Sequence, residues 1–264
     1  MSVVLQISDN LMKQAEVEVL MAGHSNLIAP QRLAKWIAHC GWCSRRAAER
    51  LISAGSVSVN GKPANHTDLV CAADQILINQ QPLKAATERQ YWLYHKPVGI
   101  DCNNRPDDPA SLYHLLQQLP QRLFAVGRLD KDSSGLLLLT NDGALSQQLM
   151  HPDHYHTKTY IVDTDKAITA AFVQQMADGV SWTLGANHYH SRPCQVCAMG
   201  TAQFQIVLTE GQHRQIRYMC KSLGYRVTSL KRLALGALQL ADLACGAYRP
   251  LTASELAGLQ RLNA

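Results

Sequence analysis

From Gln31 onward the apolar positions fall into helical register. Leu33, Trp36, Ile37 and Cys40 stand at i, i+3, i+4 and i+7, one face of a helix that ends at Gly41. Ser44 then caps a second helix, whose stripe of Ala48, Leu51 and Ile52 runs to Gly55. The period next drops to two: Val57 and Val59 alternate with serine and run into Asn60-Gly61, a two-residue hairpin signal. A further strand fits 75–78. Residues 1–30 are weakly periodic, with only a marginal helix over 10–21, and form an N-terminal extension. Residues 79–90 are polar and aperiodic and read as a linker between a domain over 31–78 and a second over 91–264.

In the second domain short apolar runs alternate with turns. Strands are predicted over 91–94, 123–126, 136–140, 160–162 and 202–209, and helices over 111–118, 144–150, 169–177 and 212–223. Without a regular strand–helix alternation, the pattern predicts an α+β fold with a mixed, mostly antiparallel sheet.

Composition agrees with two folded domains. The chain has 264 residues, 47% hydrophobic and 17% charged, which excludes a disordered or fibrous chain. Its longest leucine run, Leu136 to Leu139, is far short of the ~18–20 apolar residues of a membrane span. The opening MSVVLQISDN lacks the basic start and apolar core of a secretory signal, so a soluble cytoplasmic protein is expected.

The net charge of +5 is unevenly placed. Residues 31–65 carry Arg32, Lys35, Arg45, Arg46, Arg50 and Lys62 against Glu49 alone. Residues 205–235 carry Arg214, Arg217, Lys221, Arg226, Lys231 and Arg232 against Glu210 alone. Such segments suit a polyanion, nucleic acid above all, although charge by itself also fits solvated helix faces. Cys40-x-x-Cys43 and Cys194-x-x-Cys197 have zinc-ligand spacing, yet they lie far apart and the first pair falls in a helical pattern. Small buried thiols are the expected reading, with no metal.

The segment over 31–78 resembles the S4 RNA-binding domain. The likeness rests on Arg32, Lys35, Gly41, Ser44-Arg45-Arg46, Gly55 and Val59-Asn60-Gly61, in that family's order and spacing. Arg45 and Arg46 stand at a helix N-terminus, where free N–H groups and the dipole already favour phosphate and guanidinium groups add bidentate contacts.

Chemistry concentrates between two apolar runs, in Gly127-Arg-Leu-Asp-Lys-Asp-Ser-Ser-Gly135. Asp130-x-Asp132-x-Ser134-Gly135 copies the start of a calcium-binding EF-hand loop. However, Asn141 stands where that loop needs its bidentate glutamate, and the flanks read as strands. A solvated hairpin loop is the plain alternative. The stretch closely resembles the GRLDxx[ST]xG motif of pseudouridine synthases, in the group containing RsuA, RluB, RluE and RluF, whose members carry an S4 domain ahead of the catalytic one. Lys96-Pro97-x-Gly99, His151-Pro152, Lys158-x-Tyr160, Glu210-Gly-Gln-His-Arg214-Gln-Ile216-Arg217 and Gly224-Tyr-x-Val227-x-x-Leu230-x-Arg232 follow in the family's order. The RLDKDS, RQIRYMC and GYRVTSLKR runs look most similar to members acting on large-subunit ribosomal RNA. Tyr218, where a second basic residue is usual, and the His- and Cys-rich stretch 182–200 depart from the pattern.

The resemblance implies an isomerase that turns a uridine of ribosomal RNA into pseudouridine, without cofactor or metal and as a monomer. Asp130 is the implied nucleophile or acid/base, Arg217 its charge partner, and Tyr160 the aromatic that stacks on the uracil, with Ile216 on the base's other side. Arg128 is expected to enter the RNA beside the extruded nucleotide. Lys96, Lys158, Arg214, Arg32, Lys35, Arg45 and Arg46 are the expected RNA contacts. His151, His154 and His156 have near-metal spacing but are expected to be solvated loop residues. The competing readings are a non-catalytic RNA-binding or ribosome-assembly factor, a zinc-dependent RNA binder, and the same chemistry on small-subunit ribosomal RNA or tRNA.

Overall fold

The computed structural model describes residues 29–84, 88–151, 153 and 155–261. Nearly all of the predicted extension, and the helix expected over 10–21, lie outside them, as do Pro152 and His154. The chain divides into two compact units, the second beginning at Glu88.

In the first unit β1 (Gln31–Arg32) leads into α1 (Leu33–His39) and α2 (Arg45–Ser53). Five short strands follow: β2 (Val57–Val59), β3 (Lys62–Pro63), β4 (Leu69–Val70), β5 (Ile76–Ile78) and β6 (Gln81–Pro82). Ser44 caps α2 as its sequence implies, its hydroxyl accepting the Ala47 N–H at 3.2 Å. Asn60 and Gly61 both take positive φ, 51° and 78°, the backbone of a type I′ turn, and join β2 to β3. The predicted stripes meet in one core, with Leu33, Ile37, Ala48 and Ile52 packed on Val57, Val70, Ile76 and Ile78. The supposed linker does not begin at 79. Asn79 and Gln80 turn the chain with positive φ, and β6 pairs back on β5, Leu77 opposite Pro82. Two-residue turns need polar, turn-tolerant residues, so a hairpin imitates a linker in composition.

The second unit comprises β7 (Tyr91–Lys96), α3 (Tyr113–Leu116), β8 (Phe124–Val126), β9 (Ser134–Thr140), α4 (Gly143–Met150), β10 (Lys158–Thr164) and α5 (Ala170–Asp178). It continues with β11 (Ser181–Leu184), β12 (Asn187–His190), β13 (Gln195–Gly200), β14 (Gln203–Leu208), α6 (Gln215–Ser222), β15 (Val227–Leu235), β16 (Leu238–Gln239), β17 (Tyr248–Pro250) and α7 (Ala253–Arg261). One sheet organises it, in the order β13-β14-β10-β15-β9-β7-β17, with β8 added to β9 and β16 to β15. Its strand pairs are antiparallel except β15 with β9, the mixed and mostly antiparallel sheet the pattern predicts.

The leucine run lies in β9, near the middle of this sheet. Leu136 and Leu138 enter one hydrophobic cluster and Leu137 and Leu139 another, all four fully buried. A strand covered on both faces shows a continuous apolar run instead of alternation.

Two predicted helices shrink. The one over 111–118 keeps only Tyr113–Leu116, and the one over 212–223 starts at Gln215, because Arg214 takes the left-handed conformation (φ 53°, ψ 29°). The second domain also contains β11, β12, β13, β15 and α7, which the hydrophobic pattern did not single out.

Helix α7 is fixed by a capping box. The Thr252 N–H donates to Glu255 Oε2 at 2.8 Å and the Glu255 N–H to Thr252 Oγ1 at 3.3 Å, while Arg249 of β17 grips the same carboxylate at 2.7 and 2.8 Å. These bonds, Arg249's first, pull the Glu255 pKa down to about 2. A lowered acid pKa adds stability above the unfolded value, and that stability fades as pH falls through the folded one. Glu255→Gln should therefore lower the melting temperature by a few degrees at pH 7. The gap to wild type should close between about pH 4.5 and pH 2, as followed by thermal unfolding at stepped pH.

Candidate active site

The loop over 127–133 joins β8 to β9 and is held from three sides. Gly99 donates its N–H to the Lys131 carbonyl at 2.8 Å, and Leu129 donates to Cys102 Sγ at 3.4 Å. Ser133 donates back to the Asp130 carbonyl at 3.0 Å, which closes the loop on itself. The third support is α6. Its preceding turn is pinned where Gln215 Nε2 donates to Glu210 at 2.6 Å and Gln215 Oε1 accepts the Gln212 N–H at 3.1 Å. That turn sets Arg214 in its left-handed conformation, with Arg217 one turn further on.

Both arginines converge on the loop. Arg214 forms a two-pronged pair with Asp132 at 2.8 and 3.1 Å. Arg217 donates through Nη2 to the Asp132 carbonyl at 2.8 Å and to Ser133 Oγ at 3.3 Å, and lies 3.3 Å from the Asp132 carboxylate. The Arg214 bonds hold the Asp132 carboxyl below its ordinary pKa, with the charge of Arg217 reinforcing them against partial burial. The same bonds raise Arg214, whereas burial lowers Arg217 despite the attraction of Asp132. The opposite directions reflect different depths, and both guanidinium groups stay charged at neutral pH.

Asp130 is placed differently. Its side chain is 27% exposed, and Arg214 is the cation beside it, with Nη1 3.7 Å from Oδ2. Among the described residues its carboxylate accepts no hydrogen bond, so its oxygens stay available to a ligand. The expected direct pairing of Arg217 with Asp130 is corrected accordingly: Arg217 binds Asp132 and the loop backbone, and Arg214 is the cation beside Asp130.

Tyr160 comes from β10, opposite Arg232 of β15, whose Arg232 in turn pairs with Gly135 at the start of β9. The site thus straddles three adjacent strands at the parallel junction of the sheet. Tyr160 is half-buried against a core cluster that includes Ile216, Phe204 and Ile206. Ile216 itself is buried in that core, not open on a cleft as expected.

Three further expectations need correction. Lys96 is fully buried, its Nζ donating to the Pro97 and Ile100 carbonyls at 2.9 and 2.6 Å. It ties the 97–100 turn whose Gly99 holds the loop, so it is a scaffold residue and not an RNA contact. Lys158 is likewise buried, donating to the His156 carbonyl at 3.0 Å. Burial lowers the pKa of both lysines, and for Lys158 the neighbouring Arg232 adds to the effect. His156 is buried rather than solvated, while His151 is exposed.

Of the cysteines read as buried, Cys40 is buried, Cys43 and Cys194 are half-buried, and Cys197 is exposed on the edge strand β13. Arg128 is exposed, 3.4 Å from Asn103 Oδ1, and Arg32, Lys35, Arg45 and Arg46 are exposed in the first unit.

Residues 90–222 match the RNA pseudouridylate synthase family, and residues 31–76 match the S4 domain. The chain belongs to the pseudouridine synthase family. It is 37% identical over 233 residues to the dual-specificity RNA pseudouridine synthase RluF of Salmonella typhi, covering 88% of this chain and 79% of that protein. It is 35% identical to the ribosomal large subunit pseudouridine synthase B of Bacillus subtilis, over 88% of this chain and 96% of the relative. A solved crystal structure of a pseudouridylate synthase superposes with a TM-score of 0.63 at 31% identity, over 86% of this chain and 99% of the other.

A sequence reading centred on Asp130 missed Asp132 and Ser133, which carry the clamp. The available signal was two carboxylates two apart in the loop, matched by two arginines three apart in Arg214-x-x-Arg217. It also missed why the motif ends in glycine. Gly135 has φ +113°, and a Cβ there would sit 2.2 Å from the Arg232 carbonyl oxygen, within the β9–β15 pairing. At Gly127 the atom met is the flexible Met150 Sδ, at 2.8 Å. Gly135→Ala should therefore cost at least about 3 kcal/mol in urea unfolding, and Gly127→Ala clearly less.

Proposed function

We propose that this pseudouridine synthase acts on a uridine of large-subunit ribosomal RNA, with Asp130 as the reacting carboxylate. The observation that carries this is the division of labour in the loop: Asp132 is bound by both arginines, and Asp130 beside it is left open to substrate. The reaction breaks the C1′–N1 bond of uridine and joins C5 to C1′. The C5 proton leaves and N1 gains one, so neither a redox partner nor an energy source is consumed. Asp130 acts on the ribose, by attack at C1′ or by removal of a ribose proton, and both routes need the free carboxylate. Tyr160, firm on β10, stacks on the uracil and receives or relays the C5 proton. Exposed Arg128 fills the gap left when the nucleotide is extruded, offsetting part of an unstacking cost of a few kcal/mol.

The large-subunit assignment draws on the similarity to the Bacillus subtilis enzyme, and the cytoplasm, where ribosomal RNA is made, is the matching location for a monomer that works on it. No helix among the described residues is long and apolar enough to cross a membrane. The test is to incubate wild type and Asp130→Asn with unmodified large- and small-subunit ribosomal RNA transcripts and map pseudouridine by carbodiimide-block reverse transcription. A single stop in the large-subunit RNA, absent with Asp130→Asn, is expected. Equal stops from both proteins refute the role of Asp130, and stops only in small-subunit RNA refute the substrate.

The S4 unit supplies affinity through phosphate. Arg46 is exposed, and among the described residues Arg45 makes only a solvent-facing 3.7 Å contact with Glu49. Changing both to glutamine should flatten the slope of log K against log salt by roughly 1.4 to 1.8, as measured by filter binding from 50 to 200 mM KCl. An unchanged slope removes these residues from the interface.

A further inference from the structure

Arg214, Arg217, Tyr218 and Lys221 stand at i, i+3, i+4 and i+7 and share one face of α6 and its N-terminus. Past Gly224 (φ +81°) the chain returns as β15 and brings Tyr225 and Arg226 alongside that face. Together with Val227 these side chains line a cavity of about 440 Å³. It lies across Arg217 from the aspartate loop. Nη2 of that guanidinium donates to the Asp132 carbonyl at 2.8 Å, while Nη1 reaches the Val227 carbonyl at 3.4 Å, so the group borders both the cavity and the aspartate loop.

The lining has four cations, two phenol rings and no carboxylate. Arg214 and Arg217 are committed to Asp132. Lys221 is exposed and makes no ion pair among the described residues, and Arg226 touches only Asp165, at 3.7 Å, with most of its side chain in solvent. Tyr225 is already ordered, packed on Phe172 at 4.2 Å between ring centres and capped by Lys166 Nζ at 4.8 Å. A free anion would leave the Tyr218 ring unused, and an apolar ligand would strand the cations. A planar base joined to a phosphate uses both, and the volume suits one nucleotide.

We infer that this cavity is a subsite for a nucleotide neighbouring the target uridine on the same strand. Its base lies against Tyr218, and its phosphate sits between Lys221 and Arg226. The inference rests on the RNA-isomerase function proposed above, and it assigns recognition of sequence context to a cavity bordered by Arg214, the cation beside Asp130.

The test uses the full chain carrying Asp130→Asn, bound to an unmodified large-subunit ribosomal RNA transcript, with Tyr218→Leu, Tyr218→Phe or Lys221→Gln added. Tyr218→Leu keeps apolar packing but removes the ring and should weaken binding about ten-fold, with Tyr218→Phe restoring it. Lys221→Gln should flatten the salt slope by roughly 0.7 to 0.9. In the active chain the Tyr218→Leu and Lys221→Gln changes should raise KM by a larger factor than they lower kcat. Wild-type binding and slope in the Tyr218→Leu and Lys221→Gln proteins overturn the subsite, even if pseudouridine is still made through Asp130. Weakened binding, when the chain with Asp130 intact makes no pseudouridine, supports the subsite while sinking the isomerase reading.

Discussion

The site depends on the clamp that Arg214 and Arg217 place on Asp132. Two guanidinium groups at the start of a helix secure a loop rich in polar residues, and they use charge-assisted bonds where neutral ones would be weaker. Because Asp132 absorbs both cations, Asp130 two residues away keeps an open carboxylate beside a positive neighbour. A single aspartate could not be both tied down and free to react. The left-handed Arg214 is where strain is accepted to reach this geometry, and the part-buried Glu210–Gln215 bond holds it there.

Buried cations form the second support. Lys96, Lys158 and Arg232 are all almost fully enclosed, and each donates to backbone carbonyls: Lys96 to Pro97 and Ile100, Lys158 to His156, Arg232 to Leu136. Carbonyl oxygens in buried positions must find donors away from water, and a long basic side chain can deliver them. These residues shape the backbone under the site, while the exposed Arg45, Arg46, Lys221 and Arg226 face the solvent from which an anion would come.

Much of this was legible in residue order. Ser44, Asn60-Gly61 and the leucine run each act through local chemistry and fold as their types dictate. Less legible were elements whose signal is broken by function. In β15 the buried positions Leu230, Arg232 and Ala234 do alternate, but a charged residue in a core slot hides the period. Thr252-x-x-Glu255 was a readable capping box before α7. The hairpin β11–β12 is short and His-rich and offers little hydrophobic contrast. At the site itself, the carboxylate of the motif was recognisable, but its partner was not. Pairing between residues some 80 positions apart is set by the junction of β9 and β15, not by spacing.

Two neighbouring aspartates do separate jobs. The direct measurement is the unfolding free energy of Asp132→Asn and Asp130→Asn in urea at pH 7. Asp132→Asn should lose about 1 kcal/mol or more, because the arginines lose their anion, and Asp130→Asn should change by no more than about 0.5 kcal/mol. Equal losses, or a larger one at Asp130, would contradict that separation.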